Sequence, residues 1–475
     1  MGKTTERTDS ERTTGDRNTT SSRGRGRRAL GRAFVLVAPV VLGFGLSQGA
    51  CSSEADPGTN DASTTQTDAN GTAETSVVAD AGGTDTSTSD GSLDASDAAA
   101  DTSTSDGSFD AADATADSAV DATVDAMVDA GPPEVRFVGR WDTRLAGTPR
   151  AAYPGSRVVA RFDGTEVSVT LGNTTGFAGG PSRYDVFVDD VLQPAQLVTQ
   201  TGTRTYPLAT GLAPGVHKIE LYKRTEGNLG VTTFMGFSFG AGQLLAPPPA
   251  SAHKIEFVSD STIDGYGVEG AGPNCPAGTL EASHSARKGL AGLVTSDLSA
   301  DAIMVAYSGK GLWQNSYRPD TETMGVLYPR TLPDDATSLW DFSRFVPDVV
   351  VVSLGGSDYS KVGPADDPAP LAQFTQKYDD LYGMIRTYAP DAHVFLTIYA
   401  QIKDVYPPNY FARTNLNNAI NQVIANHPGD TKVYKFVWNE SVPSQETGCQ
   451  YHGGPALQRS LADALVPVIK AKTGW

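Results

Sequence analysis

The spacing of apolar residues changes once along the chain. Between residues 134 and 248 they alternate with polar ones, as in ARFDGTEVSVTLG (Ala160–Gly172), YDVFVDD (Tyr184–Asp190), HKIELYKR (His217–Arg224) and FMGFSF (Phe234–Phe239). Turn signals at Asp163-Gly164 and Pro214-Gly215 separate these stretches. Short alternating strands at this spacing predict a β-sandwich with one wetted face on each sheet. The run Pro247–Pro249 marks its end. From 253 to 475 the apolar residues instead come in blocks: KIEFVS, AIMVAYSG (Ala302–Gly309), DVVVVSLGG (Asp348–Gly356), HVFLTIY (His393–Tyr399) and KVYKFVW (Lys432–Trp438). Blocks without alternation predict strands of a parallel sheet covered on both faces. Helical spacing lies between them, over Leu280–Leu298 and Leu371–Tyr388, and a last helix opens at Pro455. The second region is therefore expected to be a doubly wound α/β domain.

Charge sharpens the picture at the N-terminal end. Residues 1–50 hold nine Lys/Arg against four Asp/Glu, residues 51–133 hold eighteen acids and no Lys/Arg, and residues 134–475 are nearly balanced, with 28 basic and 33 acidic side chains. The net charge of −18 thus sits in the second stretch and argues for no particular partner of the folded regions. No basic stripe suggests nucleic acid binding. The Arg-rich head ending at Arg32 and the apolar run Ala33–Leu46 read as an export signal, too short for a comfortable membrane span. Cys51 follows Gly49 and Ala50 where a bacterial lipoprotein carries its lipidated cysteine, although Gln48 stands where Leu is usual. Ordinary signal cleavage is the alternative. Lipidation would tie the protein to the cell envelope, by an outer-membrane or surface anchor, and cleavage would release it. Residues 51–133 are a tether of Asp, Ala, Ser and Thr, with DTSTSDGSLDASDAAA (Asp85–Ala100) repeated nearly unchanged as Asp101–Ala116. Such a segment cannot bury enough apolar surface to offset its ordering entropy. As a flexible coil it spans roughly 50 Å.

In a doubly wound sheet, sites form at the carboxyl ends of the strands. Here those ends carry Ser259-Asp260-Ser261, then Ser308-Gly309-Lys310-Gly311, then Gly355-Gly356-Ser357-Asp358, while GCQYHGG with His452 precedes the last helix. A serine becomes a nucleophile when a base lies within hydrogen-bond reach, and an acyl-transfer oxyanion needs donors such as glycine amides. One mouth would gather both. Each element alone is weak: a strand-end serine is usually a cap, and a loop histidine is usually solvated. His217, His253, His284, His393 and His427 have no comparable setting and read as structural or solvated. Gly265-x-Gly267-x-x-Gly270 spells a dinucleotide fingerprint but runs into loop rather than helix, so no nucleotide cofactor is expected. No Cys-x-x-Cys pair or His-Glu-x-x-His motif indicates a metal.

These blocks resemble the SGNH (GDSL-type) hydrolases, and specifically carbohydrate esterase family 2, over about residues 135–475. YKRTEG (Tyr222–Gly227), TFMGFSF (Thr233–Phe239), LYPRTL (Leu327–Leu332) and WDFSRFVPDVVVVSLGGSDYS (Trp340–Ser360) are similar to that family's stretches. The resemblance implies a jelly-roll sandwich before a flavodoxin-like three-layer SGNH domain, and a cofactor-free serine esterase that removes O-acetyl groups from polysaccharides. It implies Ser261 as nucleophile, His452 as general base, and an oxyanion hole from the backbone N–H of Ser261 and Gly309 and the side chain of Ser357. Ser259 stands where the family has Gly, Ser357 where it has Asn, and Cys449, Gln450 and Tyr451 where an acid often precedes the histidine. A backbone carbonyl orienting a Ser–His dyad would make good the missing acid. Two other readings stay open: a glycan-binding lipoprotein with an impaired site, and a general lipase or thioesterase. In an exported protein Cys275 and Cys449 are expected either to bridge, tying the serine loop to the histidine loop, or to be two free thiols. Trp313 and Tyr451 are candidates either for sugar stacking or for rim packing.

Overall fold

The computed structural model describes residues 134–475 apart from Phe177 and Ala277; the export signal, Cys51 and the tether lie outside the described residues. Residues 134–248 form two antiparallel sheets. One runs Arg136–Val138, Arg157–Asp163, Val216–Lys223, Arg183–Val188, Val191–Leu192, with Gln243–Leu245 and Leu197–Val198 attached at its margins. The other runs Arg150–Ala151, Thr232–Ser238, Val167–Asn173, Gly202–Ala209. The inward residues of both, among them Val158, Phe162, Val169, Leu171, Val186 and Ile219, make one apolar core with Trp141. Val167–Asn173 alternates strictly between buried and half-buried positions, as its sequence requires. Asp163-Gly164 carries the chain from one sheet to the other rather than closing a hairpin. Gly202–Ala209 is an outer strand with largely exposed side chains, and so shows no alternation to read.

In residues 253–475 five parallel strands follow one another: β1 (Lys254–Ser259), β2 (Asp301–Ala306), β3 (Val349–Ser353), β4 (His393–Ile398) and β5 (Val433–Val437). Their order across the sheet is β2-β1-β3-β4-β5. The strand order reverses direction at β1, and in such doubly wound sheets the right-handed crossovers typical of parallel strands put helices on both faces. Four helices of two turns or more cover it: α1 (Leu290–Asp297), α2 (Leu371–Tyr388), α3 (Ala412–Asn426) and α4 (Pro455–Thr473). α1 packs on α4, and α2 on α3. β2 and β3 are buried at every position, whereas the edge strand β5 alternates and exposes Lys435 and Val437, contrary to the expectation of burial on both faces.

The helix expected over Leu280–Leu298 is broken. It forms one turn at Leu280–Ser283 and resumes at Leu290. Between them, Ser285 N–H donates to the Gly265 carbonyl (3.0 Å), and a Cβ at Gly289 would lie 2.4 Å from the Gly265 nitrogen. Packing against the loop after β1 overrides helical spacing there.

The sandwich is joined to the α/β layer by a buried polar seam. Arg140, fully buried, donates to Glu256 on β1 (2.8 Å) and to the Arg330 carbonyl (3.0 Å), and Tyr328 completes the Glu256 carboxylate (2.8 Å). Arg157 and Arg136 pair with Asp301 at the start of β2 (2.8 and 2.7 Å). Tyr153 and Tyr222 of the sandwich belong to the core of the α/β domain.

Candidate active site

Ser261 stands just past the end of β1. Asp260 accepts from Thr262 N–H (3.0 Å) and Thr262 Oγ1 (2.8 Å), which closes a turn around Ser261. Gly265 closes the loop at φ +83, where a side chain would collide with the Ser285 carbonyl at 2.0 Å. His452 follows the short turn Cys449–Tyr451 and precedes α4. The Ser261 hydroxyl lies 2.8 Å from His452 Nε2, and Nδ1 faces the carbonyls of Cys449 (3.1 Å) and Gln450 (3.3 Å). A carbonyl can only accept, so Nδ1 carries the proton and Nε2 is left as the acceptor for Ser261 Oγ–H. Burial holds the His452 pKa below the ordinary imidazole value, offset in part by those two carbonyls.

The histidine loop is constrained from several sides. Cys449 is bonded to Cys275, with Cα atoms 5.3 Å apart. Gln450 and Tyr451 both take left-handed backbone conformations (φ 53 and 63), which for such side chains costs energy that surrounding contacts must offset. Those contacts are Gln450 N–H to the Pro273 carbonyl (2.7 Å), Tyr266 hydroxyl to Gln450 Oε1 (2.8 Å) and Gln401 Nε2 to the Tyr451 carbonyl (2.6 Å). The Tyr266 ring lies 4.4 Å from the His452 ring and 4.6 Å from that of His284. His284 is buried, its pKa pushed down to about 3 by that burial, which gives it a packing place.

Gly309 follows β2 in a left-handed conformation (φ +76) that favours glycine. Among the described residues neither the Ser261 N–H nor the Gly309 N–H donates to another group. Ser357, after β3, is buried and sends its hydroxyl to Asp260 over a long 3.4 Å contact. Asp260 is itself buried, which pushes its pKa up. Next to it, Asp358 accepts the backbone N–H groups of Leu312 (2.9 Å), Trp313 (2.7 Å) and Gln314 (3.0 Å), fixing the loop that walls the site. Burial still raises the Asp358 pKa to about 6. The sequence placed Asp358 in the third block without giving it a task, and gave none to Glu226, whose carboxylate reaches Ser308 N–H from the sandwich (2.7 Å).

Ser261 and His452 open into a cleft of about 510 Å³, walled by Tyr266, Tyr307, Lys310 and Tyr317 and, from the sandwich, by Ala178 and Asn228. A second compartment of about 260 Å³ continues past Gly356, Ser357, Gln401 and Tyr451. Tyr451 is exposed along that wall; Trp313, also exposed, lines neither compartment. A serine hydroxyl against a neutral imidazole, two unengaged amides and an open mouth define an acylhydrolase-type site.

Comparison with known proteins agrees with that class. The GDSL-like lipase/acylhydrolase family model matches residues 260–465, and the model for the carbohydrate esterase 2 N-terminal region matches residues 137–249. A family two carbohydrate esterase from Clostridium thermocellum, solved in complex with cellohexaose, is 33% identical, with a TM-score of 0.65 over 72% of this chain and 100% of that one. The chain belongs to the family two carbohydrate esterases. The cellulase/esterase CelE of Acetivibrio thermocellus is 34% identical over 347 residues, 73% of this chain. An acetylxylan esterase / glucomannan deacetylase of Cellvibrio japonicus is 29% identical over 189 residues, 39% of this chain. The chain spans 40% of the length of the first of these curated relatives and 51% of the second.

Proposed function

We propose that the protein is a serine esterase that removes O-acetyl groups from polysaccharides. His452 Nε2 takes the proton of Ser261 as Oγ attacks the acetyl carbonyl, and the N–H groups of Ser261 and Gly309 receive the oxyanion. The C–O bond to the sugar breaks, and His452 returns the proton to the departing sugar oxygen. Water, deprotonated by the same imidazole, then releases acetate from Ser261. Ser357 is the third donor once its hydroxyl turns from Asp260. The observation that carries this reading is the 2.8 Å contact between Ser261 Oγ and His452 Nε2 at a mouth with two unengaged amides. The named activities of the relatives, acetylxylan esterase and glucomannan deacetylase, support the substrate class. In the same proposal the disulfide holds His452 opposite Ser261, and the protein is exported and held to the envelope through lipid on Cys51.

Acetate release from acetylated xylan and glucomannan by the full chain, beside the Ser261→Ala variant, tests it. The wild type should release acetate and the variant should lose at least about 10³-fold of the rate. One observation favours a second reading, a glycan-binding protein with an impaired site: the Ser357 hydroxyl is engaged with Asp260. Binding of deacetylated oligosaccharide without acetate release from any acetyl ester would establish that reading instead.

A further inference from the structure

The YKRTEG stretch ends a strand of the sandwich, yet Glu226 within it is 2% exposed and bonded to the other domain. Its carboxylate accepts Ser308 N–H at 2.7 Å through one oxygen and Ser308 Oγ–H at 2.5 Å through the other. Behind it the fully buried Lys223 donates to the carbonyls of Thr225 (2.6 Å) and Glu226 (3.1 Å). Burial pushes the Glu226 carboxyl up and the Lys223 ammonium down, so both ionic groups are held there at a cost. Domain adhesion does not require that cost, because Arg140 and the Asp301 pairs already join the two layers.

Ser308 immediately precedes Gly309, and the Gly309 amide belongs to the peptide unit between them. On its far side the next peptide unit is held by Ser316 N–H donating to the Gly309 carbonyl (2.8 Å). On its near side the restraint is Glu226, which fixes the N–H and the hydroxyl of Ser308. We propose that Glu226 is a positioning residue of the esterase: the sandwich reaches into the site and aims the Gly309 N–H at the acyl oxygen of the tetrahedral intermediate. The sandwich is then part of the catalytic apparatus as well as a wall of the cleft. Preorganised donors of this kind act because they need not reorient as charge develops. The proposal rests on the esterase reading above.

The test uses the full chain with an aryl acetate, an arylboronic acid as tetrahedral mimic on the serine, and a deacetylated xylo-oligosaccharide. Glu226→Ala should lower kcat about 10–100-fold with KM within about threefold, and weaken boronate inhibition by the same factor, as for a displaced oxyanion donor. Oligosaccharide affinity should stay unchanged. Glu226→Gln should recover kcat to within about fivefold, since an amide accepts from Ser308 N–H and donates to Ser308 Oγ. Should Glu226→Ala not fold, Ser308→Ala removes one of the two bonds and should lower kcat and boronate affinity together, about 3–10-fold. Folded Glu226→Ala with kcat within threefold of wild type overturns the proposal, and so does a loss of kcat that leaves boronate affinity intact. A glutamine variant as impaired as alanine overturns it as well. An inactive wild type would instead sink the esterase reading itself, and this inference with it.

Discussion

On one side of the cleft, His452 sits on a loop held by a covalent bond, Cys275–Cys449, and by hydrogen bonds around two left-handed residues. On the other side, the Ser308–Gly309 turn hangs on a buried carboxylate from a different domain. The histidine loop follows an edge strand and leans on the loop after β1 and on Gln401 after β4, and a crosslink reinforces those contacts. The Gly309 turn follows β2, beside the seam where the sandwich is already docked, and noncovalent contact suffices. The two halves of one site are thus positioned by different means, and each means predicts a different failure.

The larger effect belongs to the crosslink. The bond joins residues 174 apart in the chain, and losing such a closure typically removes about 2–5 kcal/mol of stability. Cys275→Ser with Cys449→Ser should therefore lower Tm markedly and cut kcat/KM about 10–100-fold, read by thermal denaturation and acetate release. Glu226→Ala should show its loss in kcat with a smaller fall in Tm. Equal patterns for the two would erase the distinction.

A smaller effect is a shift in pH dependence. Burial lowers the His452 pKa, so the neutral base persists below pH 6.5 and the acid limb of kcat/KM lies beneath the ordinary imidazole value. As pH falls through the folded pKa the imidazole charges and base catalysis is lost. His452 also favours unfolding as pH falls below about 6.5, because the unfolded chain takes up the proton first. In the double serine variant, water admitted by the loosened loop should move the acid limb up toward 6.5, whereas Glu226→Gln should leave it in place. A pH–rate profile of the three proteins decides this.

What the sequence made legible follows the same division. Strands β1 to β4 are doubly buried and could be read from apolar blocks, and the strand-end rule then brought Ser261, Gly309, Ser357 and His452 to one edge. Glu226 was out of reach because a carboxylate beside a strand end ordinarily reads as solvated, and its partner Ser308 lies 82 residues away. Asp358 was visible in its block, but its three amide partners lie on a loop 44 to 46 residues back. The break at residues 284–289 could not be seen either, since contact with Gly265 decides it against local helical spacing.

The most direct measurement is to mix the full chain with an aryl acetate, quench in acid during the first turnovers and map the peptides by mass. An acetyl group on Ser261, absent from the Ser261→Ala protein, is the predicted result. Acetate release with Ser261 unmodified at every quench time, or undiminished in Ser261→Ala, would contradict the nucleophile assignment and the mechanism built on it.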